Sequence, residues 1–365
     1  MSAAVATATG VAVTGWSVLS SAGVGADALA ERLAAAGPDP GPAVTQMYEE
    51  PLPTPTGHAL TDLDVRAHLG RKGTSFYDRA TALAVIGCQE ALRDAAITVD
   101  DDNRSRIGVV LGTSLGSFKS TSDFSRETLV QEKPYLVNPV LFPNTVMNCA
   151  AGQAAIRFGL RGVNTTIAGG QLAFLSAVRY AGNAINRGYA DVMLAGAVEE
   201  YTPHRAWAVH HAGVPVPAGE AVAVFVLSRA GTGESEGGAE ILAVSTGYGP
   251  AGDAPAGVAL ERCVRQVLQR AGADRAAVTA VVTGETDPAD RRESGPVALA
   301  LGCEPRRILV KRLFGECEAA SGALALASLL ATYRSGELAP GALSLITSRN
   351  ADGGVAAALV RGTAP

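Results

Sequence analysis

Histidine is scarce in this chain, and it stops early. Five occur in 365 residues, at His58, His68, His204, His210 and His211, and none follows. The C-terminal part therefore has no imidazole for proton transfer. His210 and His211 are adjacent, so they point apart on a helix or strand and read as solvent-facing rather than as a metal pair. Cysteine is equally sparse. Cys88, Cys149, Cys263, Cys303 and Cys317 form no C-x-x-C and no zinc spacing, which excludes a zinc ribbon and a dithiol redox motif and leaves buried thiols in a reducing compartment. No basic run exists and the net charge is −5, which argues against nucleic acid as a partner. A mildly acidic surface would not by itself attract a partner rich in carboxylates. No basic segment followed by an apolar core opens the chain, and no stretch is apolar enough to span a membrane, so a cytoplasmic protein is expected.

What the chain does have is core-forming material in alternation. It is 47% hydrophobic and 18% charged, with 42 glycines and 19 prolines spread out, enough for one large layered unit or two fused domains. Residues 11–15, 106–113, 191–196 and 220–228 are apolar runs of strand length, as expected of strands buried on both faces. Residues 77–96 place Ala80, Leu83, Ala84, Ile86, Ala91 and Leu92 at helical spacing. A second round follows, with strands over 241–246, 278–283, 307–311, 343–347 and 354–360 and helices over 258–270, 288–301 and 319–333. Two rounds of alternation imply an α/β protein with a parallel or mixed sheet in each half, divided as 1–235 and 236–365. The pattern also predicts a helix to residue 35, a loop over 37–55, and a helix that opens at Phe142 and runs to Phe158. Residues 114–140 are mixed.

One stretch organises the rest: Thr165-Thr166-Ile167-Ala168-Gly169-Gly170-Gln171-Leu172. It reads as a short strand, a tight glycine turn and the first turn of a helix running to about Asn186. Such an elbow lifts one side chain into a cleft and aims helix N–H groups at it, a geometry suited to a nucleophile. Here the lifted residue is Gln171, a neutral amide. Three further stretches accompany it: Val281-Val282-Thr283-Gly284-Glu285-Thr286-Asp287-Pro288, Lys311-Arg312-Leu313-Phe314-Gly315-Glu316, and Ala351-Asp352-Gly353-Gly354-Val355-Ala356.

Together these stretches resemble the β-ketoacyl synthases of the thiolase-like superfamily, over nearly the whole chain. The resemblance implies the thiolase fold, a five-layered αβαβα sandwich of two similar halves. In that family the elbow carries a cysteine that takes the acyl chain as a thioester. Two histidines assist decarboxylation of the malonyl extender and stabilise the enolate or oxyanion, and a lysine holds the network. By this comparison Gln171 stands at the cysteine, Thr283 and Glu316 stand at the histidines, and Lys311 is kept. Asp352 replaces a gating phenylalanine. Glutamine at the elbow resembles two kinds of relative. One is the loading decarboxylase, which keeps its histidines. The other is the chain length factor of type II polyketide synthases.

With both histidines gone, the resemblance implies a non-catalytic chain length factor. Such a subunit heterodimerises with an active ketosynthase and shapes the tunnel that sets polyketide length, for a polyene or an aromatic product. The connection between Glu199 and Glu220 is shorter than the family's usual one, which fits a subunit that accepts no acyl chain or carrier protein itself. The flanks of the elbow depart from the aromatic-pathway pattern and lean toward the polyene. Two alternatives stay open: a malonyl-carrier-protein decarboxylase with Gln171 for the cysteine, and a thiolase-fold scaffold without catalysis. The resemblance further implies tunnel residues Phe118, Thr121 and Phe124, and partner-facing residues Phe142, Thr145 and Met147. It implies acyl carrier protein reached mainly through the partner, and no metal or organic cofactor. Lys311 and Glu316 are expected to form an ion pair, with Cys317 and Cys149 as inert thiols.

Overall fold

The computed structural model describes residues 10–35, 37–231, 238–250 and 252–363; the expected division at 235/236 lies outside the described residues. In chain order the strands are β1 (Val11–Ser20), β2 (Gly23–Val24), β3 (Ile107–Thr113), β4 (Asn164–Ala168), β5 (Val192–Glu199), β6 (Ala221–Arg229), β7 (Ala239–Tyr248), β8 (Val278–Thr283), β9 (Arg306–Leu309), β10 (Leu343–Arg349) and β11 (Gly354–Gly362). The α-helices are α1 (Ala26–Ala34), α2 (Val65–Leu69), α3 (Arg79–Asp94), α4 (Phe118–Val130), α5 (Cys149–Phe158), α6 (Ala173–Asn186), α7 (Pro203–His211), α8 (Asp253–Ala271), α9 (Ser294–Leu301), α10 (Val310–Phe314) and α11 (Ala319–Arg334).

The strands lie in the order β4-β3-β5-β6-β1-β7-β11-β10-β8-β9, with β2 hairpinned onto β1. On the first side β4, β3 and β5 are parallel, and β6 and β1 are antiparallel to their neighbours. On the second side β9, β8 and β10 are parallel, and β11 and β7 antiparallel. The same order thus occurs twice. The two sides meet through a short pairing of β1 with β7, from Val11↔Ile241 to Val13↔Ala239.

Helices α3 and α5 cover the outer face of the first side, and α8 and α9 cover that of the second. Helices α6 and α11 lie between the sheets. The result is five layers, helix–sheet–helix–sheet–helix. Position dictates composition. α11 is buried from Ala319 through Tyr333, because both of its faces meet protein, so it is apolar all round. Small residues let it approach closely; a Cβ on Gly322 would stand 3.2 Å from Phe174 Cβ and Cδ1. Phe174 of α6 packs in turn on Phe225 of β6, with ring centroids 5.5 Å apart.

Local expectations differ from the structure at several places, among them the helix expected over 288–301, which begins only at Ser294. The helix expected from Phe142 to Phe158 is two pieces, a 3-10 turn Pro139–Thr145 and α5. Pro143 cannot donate into a ladder, and Val146 is extended at φ −100, ψ 133, so the chain breaks before Cys149. Residues 118–130 form α4, capped by Ser117 Oγ, which accepts the Ser120 N–H at 3.2 Å. No residue of α4 is buried, so no apolar stripe advertised it. The strand expected over 307–311 ends at Leu309, and Lys311 lies in α10.

Candidate functional site

The elbow forms where β4 ends. Gly170 takes φ +55, a backbone strained for other residues, and Asn350 Oδ1 stands 3.1 Å from where a Cβ would sit, so glycine fits this turn best. A 3-10 turn, Gly170–Leu172, then feeds α6. Gln171 is half-buried at its centre.

Three of the expected site residues meet in one chain of hydrogen bonds. Gln171 Nε2 donates to Glu316 Oε1 at 2.8 Å, and Lys311 Nζ donates to Glu316 Oε2 at 2.9 Å. The Glu318 N–H adds a third bond to Glu316 Oε1 at 2.8 Å. Burial works to raise the Glu316 carboxyl, but the Lys311 charge and these donors hold it below the ordinary carboxylate value. A carboxylate so held is ionised at neutral pH and accepts only. Gln171 is pinned as its donor. None of Gln171, Glu316 and Lys311 offers a nucleophile's lone pair beside a base.

The fourth expected residue does not join them. Thr283 Oγ1, at the end of β8, donates to Glu285 Oε2 at 3.1 Å. Glu285 also caps α9, accepting the Glu293 and Ser294 N–H groups at 2.8 Å each, and binds Arg307 Nη1 at 3.0 Å. Burial raises the Glu293 carboxyl, which accepts from Thr347 Oγ1 and the Gly284 N–H. Asp352 turns back on its own loop and accepts the Gly354 N–H at 2.9 Å.

Two participants escaped the sequence reading. Asn350 Oδ1 accepts the Gln171 backbone N–H at 3.0 Å, and its Nδ2 donates to the Gly169 carbonyl at 3.2 Å. The amide that an elbow ordinarily aims at a ligand is therefore already occupied. Arg205 is the other. It is buried between Glu199, at 3.1 Å, and Glu318, at 3.5 Å. It lies on α7, so the short connection after Glu199 folds as a compact helix anchored beside the elbow chain. No spacing rule marks Asn350, whose partners are remote in sequence, and the Arg205–Glu199 spacing of six residues matches no helix or strand period.

The expected tunnel residues lie on α4. Phe118 stacks toward His204 of α7, with centroids 5.7 Å apart. Thr121 is exposed, and Phe124 packs on Phe142 at 5.7 Å. Of the expected partner-facing residues, Phe142 is 57% and Met147 46% exposed, while Thr145 bonds the Phe142 carbonyl. Leu115, Leu129, Val140 and Val146 are exposed on the same segment. Beside them β4 pairs with β3 on one edge only among the described residues.

Burial lifts the Cys317 thiol far up, and it lifts Cys149 as well, so neither is poised as a thiolate. Cys303 corrects one expectation: it is exposed, in the turn after α9, where no sheet covers it. His210 and His211 are exposed on the last turn of α7, with His211 stacked on Trp207. Among the described residues no group of three or more His, Cys, Asp or Glu could hold a metal ion, and no helix is long and apolar enough to cross a membrane.

A family model described as beta-ketoacyl synthase, N-terminal domain, matches residues 8–245. The 3-oxoacyl-[acyl-carrier-protein] synthase 2 of Staphylococcus aureus is 25% identical over 256 residues, or 63% of this chain and 61% of that protein's length. The chain thus spans under two thirds of the length of such curated relatives. The Synechocystis protein of the same name is 31% identical over 144 residues, 39% of this chain and 34% of its own. Among solved structures, "The ishigamide ketosynthase/chain length factor" superposes with a TM-score of 0.84 at 32% identity, covering 97% of this chain and 100% of that one. A beta-ketoacyl synthase from Burkholderia phymatum gives 0.82 at 20% identity, over 98% and 100%, a likeness of fold.

Proposed function

We propose, on the premise that this chain belongs to the β-ketoacyl synthase family of the thiolase-like superfamily, that it is the chain length factor of a type II polyketide synthase. In this reading it performs no condensation itself. It pairs with a catalytic ketosynthase and bounds the tunnel into which that partner's polyene or aromatic intermediate grows. Acyl carrier protein docks mainly on the partner. Each half, 1–235 and 236–365, serves as one thiolase-like unit.

The observation that carries the reading is the Gln171–Glu316–Lys311 chain. A condensing site needs a thiolate, and groups that stabilise a developing oxyanion. Here the elbow offers an amide, its backbone N–H is capped by Asn350, and a carboxylate faces it. A carboxylate repels the malonyl carboxylate, so this also speaks against the decarboxylase. The exposed apolar segment around Phe142 and Met147 and the open edge of β4 support a partner. A sheet edge flanked by apolar surface is a template for strand addition and for burial.

Length control by such a subunit is steric. Each methylene that finds apolar wall contributes about 0.8 kcal/mol. Once the chain meets a bulky floor, overpacking costs about 1–3 kcal/mol, enough to stop growth within a unit or two. Co-expression with a catalytic ketosynthase, followed by sizing and product mass analysis, tests this for wild type and Phe118→Ala. A one-to-one complex whose products lengthen in the variant is expected. Absence of any complex would overturn the partner role, and unchanged products would remove the floor from Phe118.

A further inference from the structure

On the far side of the Glu316 loop lies a second arrangement of reactive groups. Ser21 occupies the two-residue turn between β1 and β2, whose ends pair as Ser20↔Gly23. Its Oγ stands 3.1 Å from His58 Nδ1. His58 Nε2 stands 3.0 Å from the Asp39 backbone carbonyl oxygen. A carbonyl only accepts, so Nε2 carries the proton and Nδ1 presents its lone pair. The Ser21 hydroxyl must then donate to Nδ1. This is a nucleophile on a base that is oriented by a third group.

The base is held firmly. His58 is 1% exposed, and its backbone is clamped by its N–H to the Ala218 carbonyl at 3.0 Å and by the Glu220 N–H to its own carbonyl at 2.7 Å. The ring fits where two glycines leave room. A Cβ on Gly315, itself at φ +71, would stand 2.6 Å from His58 Cδ2, and one on Gly219 would stand 3.4 Å from His58 Cβ. Burial lowers the imidazole's affinity for a proton, opposed by the Asp39 carbonyl and charge and aided by the Arg32 charge, so the ring is neutral at pH 7. Ser21 opens on a cleft of about 340 Å³ lined by Pro42, Leu60, Leu63 and His68 among others. Its walls are largely apolar, with one carboxylate, Asp62.

We propose that Ser21 is a covalent acyl acceptor activated by His58, taking a short uncharged acyl group from a thioester or an activated ester. Ser21 Oγ attacks the carbonyl carbon while its proton passes to His58 Nδ1. The carbon–sulfur bond breaks, and the departing thiolate takes that proton and leaves as a thiol. An ester remains on Ser21 and His58 returns neutral. The site is separate from the Gln171 chain, although one loop serves both, with Gly315 against His58 and Glu316 against Gln171.

The test uses the full chain in whatever assembly it purifies as, treated with a fluorophosphonate probe and separately with p-nitrophenyl acetate. Intact mass and peptide mapping locate the adduct. One adduct per chain on Ser21 is expected, absent in Ser21→Ala and formed at least about tenfold more slowly in His58→Gln, since general-base assistance is worth on the order of 10²-fold or more. Ser21→Ala removes only a half-buried hydroxyl and serves as the decisive variant if His58→Gln fails to fold. Labelling that persists in Ser21→Ala, no labelling of the native wild type, or a native rate no greater than that of guanidinium-unfolded chain would each overturn the proposal.

Discussion

Replacing Lys311 by methionine should destabilise this fold far beyond what one ion pair contributes on a surface. The Lys311 and Glu316 side chains are 9% and 7% exposed, with 2.9 Å between Nζ and Oε2. Methionine keeps the length of the stem and removes the charge. The Glu316 carboxylate is then left with Gln171 Nε2 and the Glu318 N–H as donors and no cation in contact. Stripping one partner from a buried pair costs about 3–5 kcal/mol, against about 0–1 for an exposed pair. Arg205 lends some charge nearby, although its direct contacts go to Glu199 and Glu318, so the lower end, about 3 kcal/mol, is expected. The double variant Lys311→Met with Glu316→Gln removes both charges and should recover most of that loss. The pH dependence has a definite sign. The folded Glu316 carboxyl is held below its unfolded value, so its contribution is present above the unfolded value and is lost as pH falls through the folded one. Without Lys311 that carboxyl takes up its proton more readily, so the deficit of the single variant should shrink from pH 8 to pH 5. Urea unfolding followed by the fluorescence of buried Trp16 measures each variant at both pH values. A single variant within 1 kcal/mol of wild type at pH 8, or a double variant no more stable than the single, would refute the reasoning.

Further predictions concern the elbow, a buried acid and the exposed segment. Gln171→Cys should not restore condensation, because Glu316 faces it and no imidazole hydrogen-bonds to Gln171 or Glu316 among the described residues; acyl transfer from a carrier-protein thioester is expected at least about 10³-fold below an intact ketosynthase. Turnover above that level would show that the surrounding groups suffice. Burial first, and the Asp78 charge next, push the Glu200 carboxyl up to about 8. Its contribution is therefore full below the unfolded carboxyl value and is lost as pH rises toward 8, by up to about 1.4 kcal/mol per pH unit. Glu200→Gln should flatten the urea stability profile between pH 5 and 8, and an unchanged slope would contradict the assignment. Asn350→Ala should cost about 1–3 kcal/mol and speed hydrogen exchange at the Gln171 amide, which it caps; unchanged exchange would remove Asn350 from that role. Met147→Lys, on an exposed position, should leave urea stability within about 0.5 kcal/mol while weakening binding to a catalytic ketosynthase by ~100-fold or more. Equal affinity by titration would move the interface elsewhere.

Much of this architecture was legible in the residues because its signals are local. Apolar runs such as those of β3, β5 and β6 announce strands covered on both faces, since only such strands afford no polar side. The amide at Gln171 and the absence of imidazole beyond His211 needed no coordinates, and five residues of chain put Lys311 within reach of Glu316. The tertiary structure decided the rest. Gln171 meets Glu316 across 145 residues and Asn350 across 179, and contacts that distant leave no period in the sequence. α4 carried no signal because nothing in this chain buries any of its residues. The break at Val146 comes from Pro143 and backbone geometry within a stretch whose composition otherwise favours a helix. Ser21 and His58 are ordinary polar residues in the sequence, and only the clamp of Ala218, Glu220 and two side-chain-free glycines turns one toward the other.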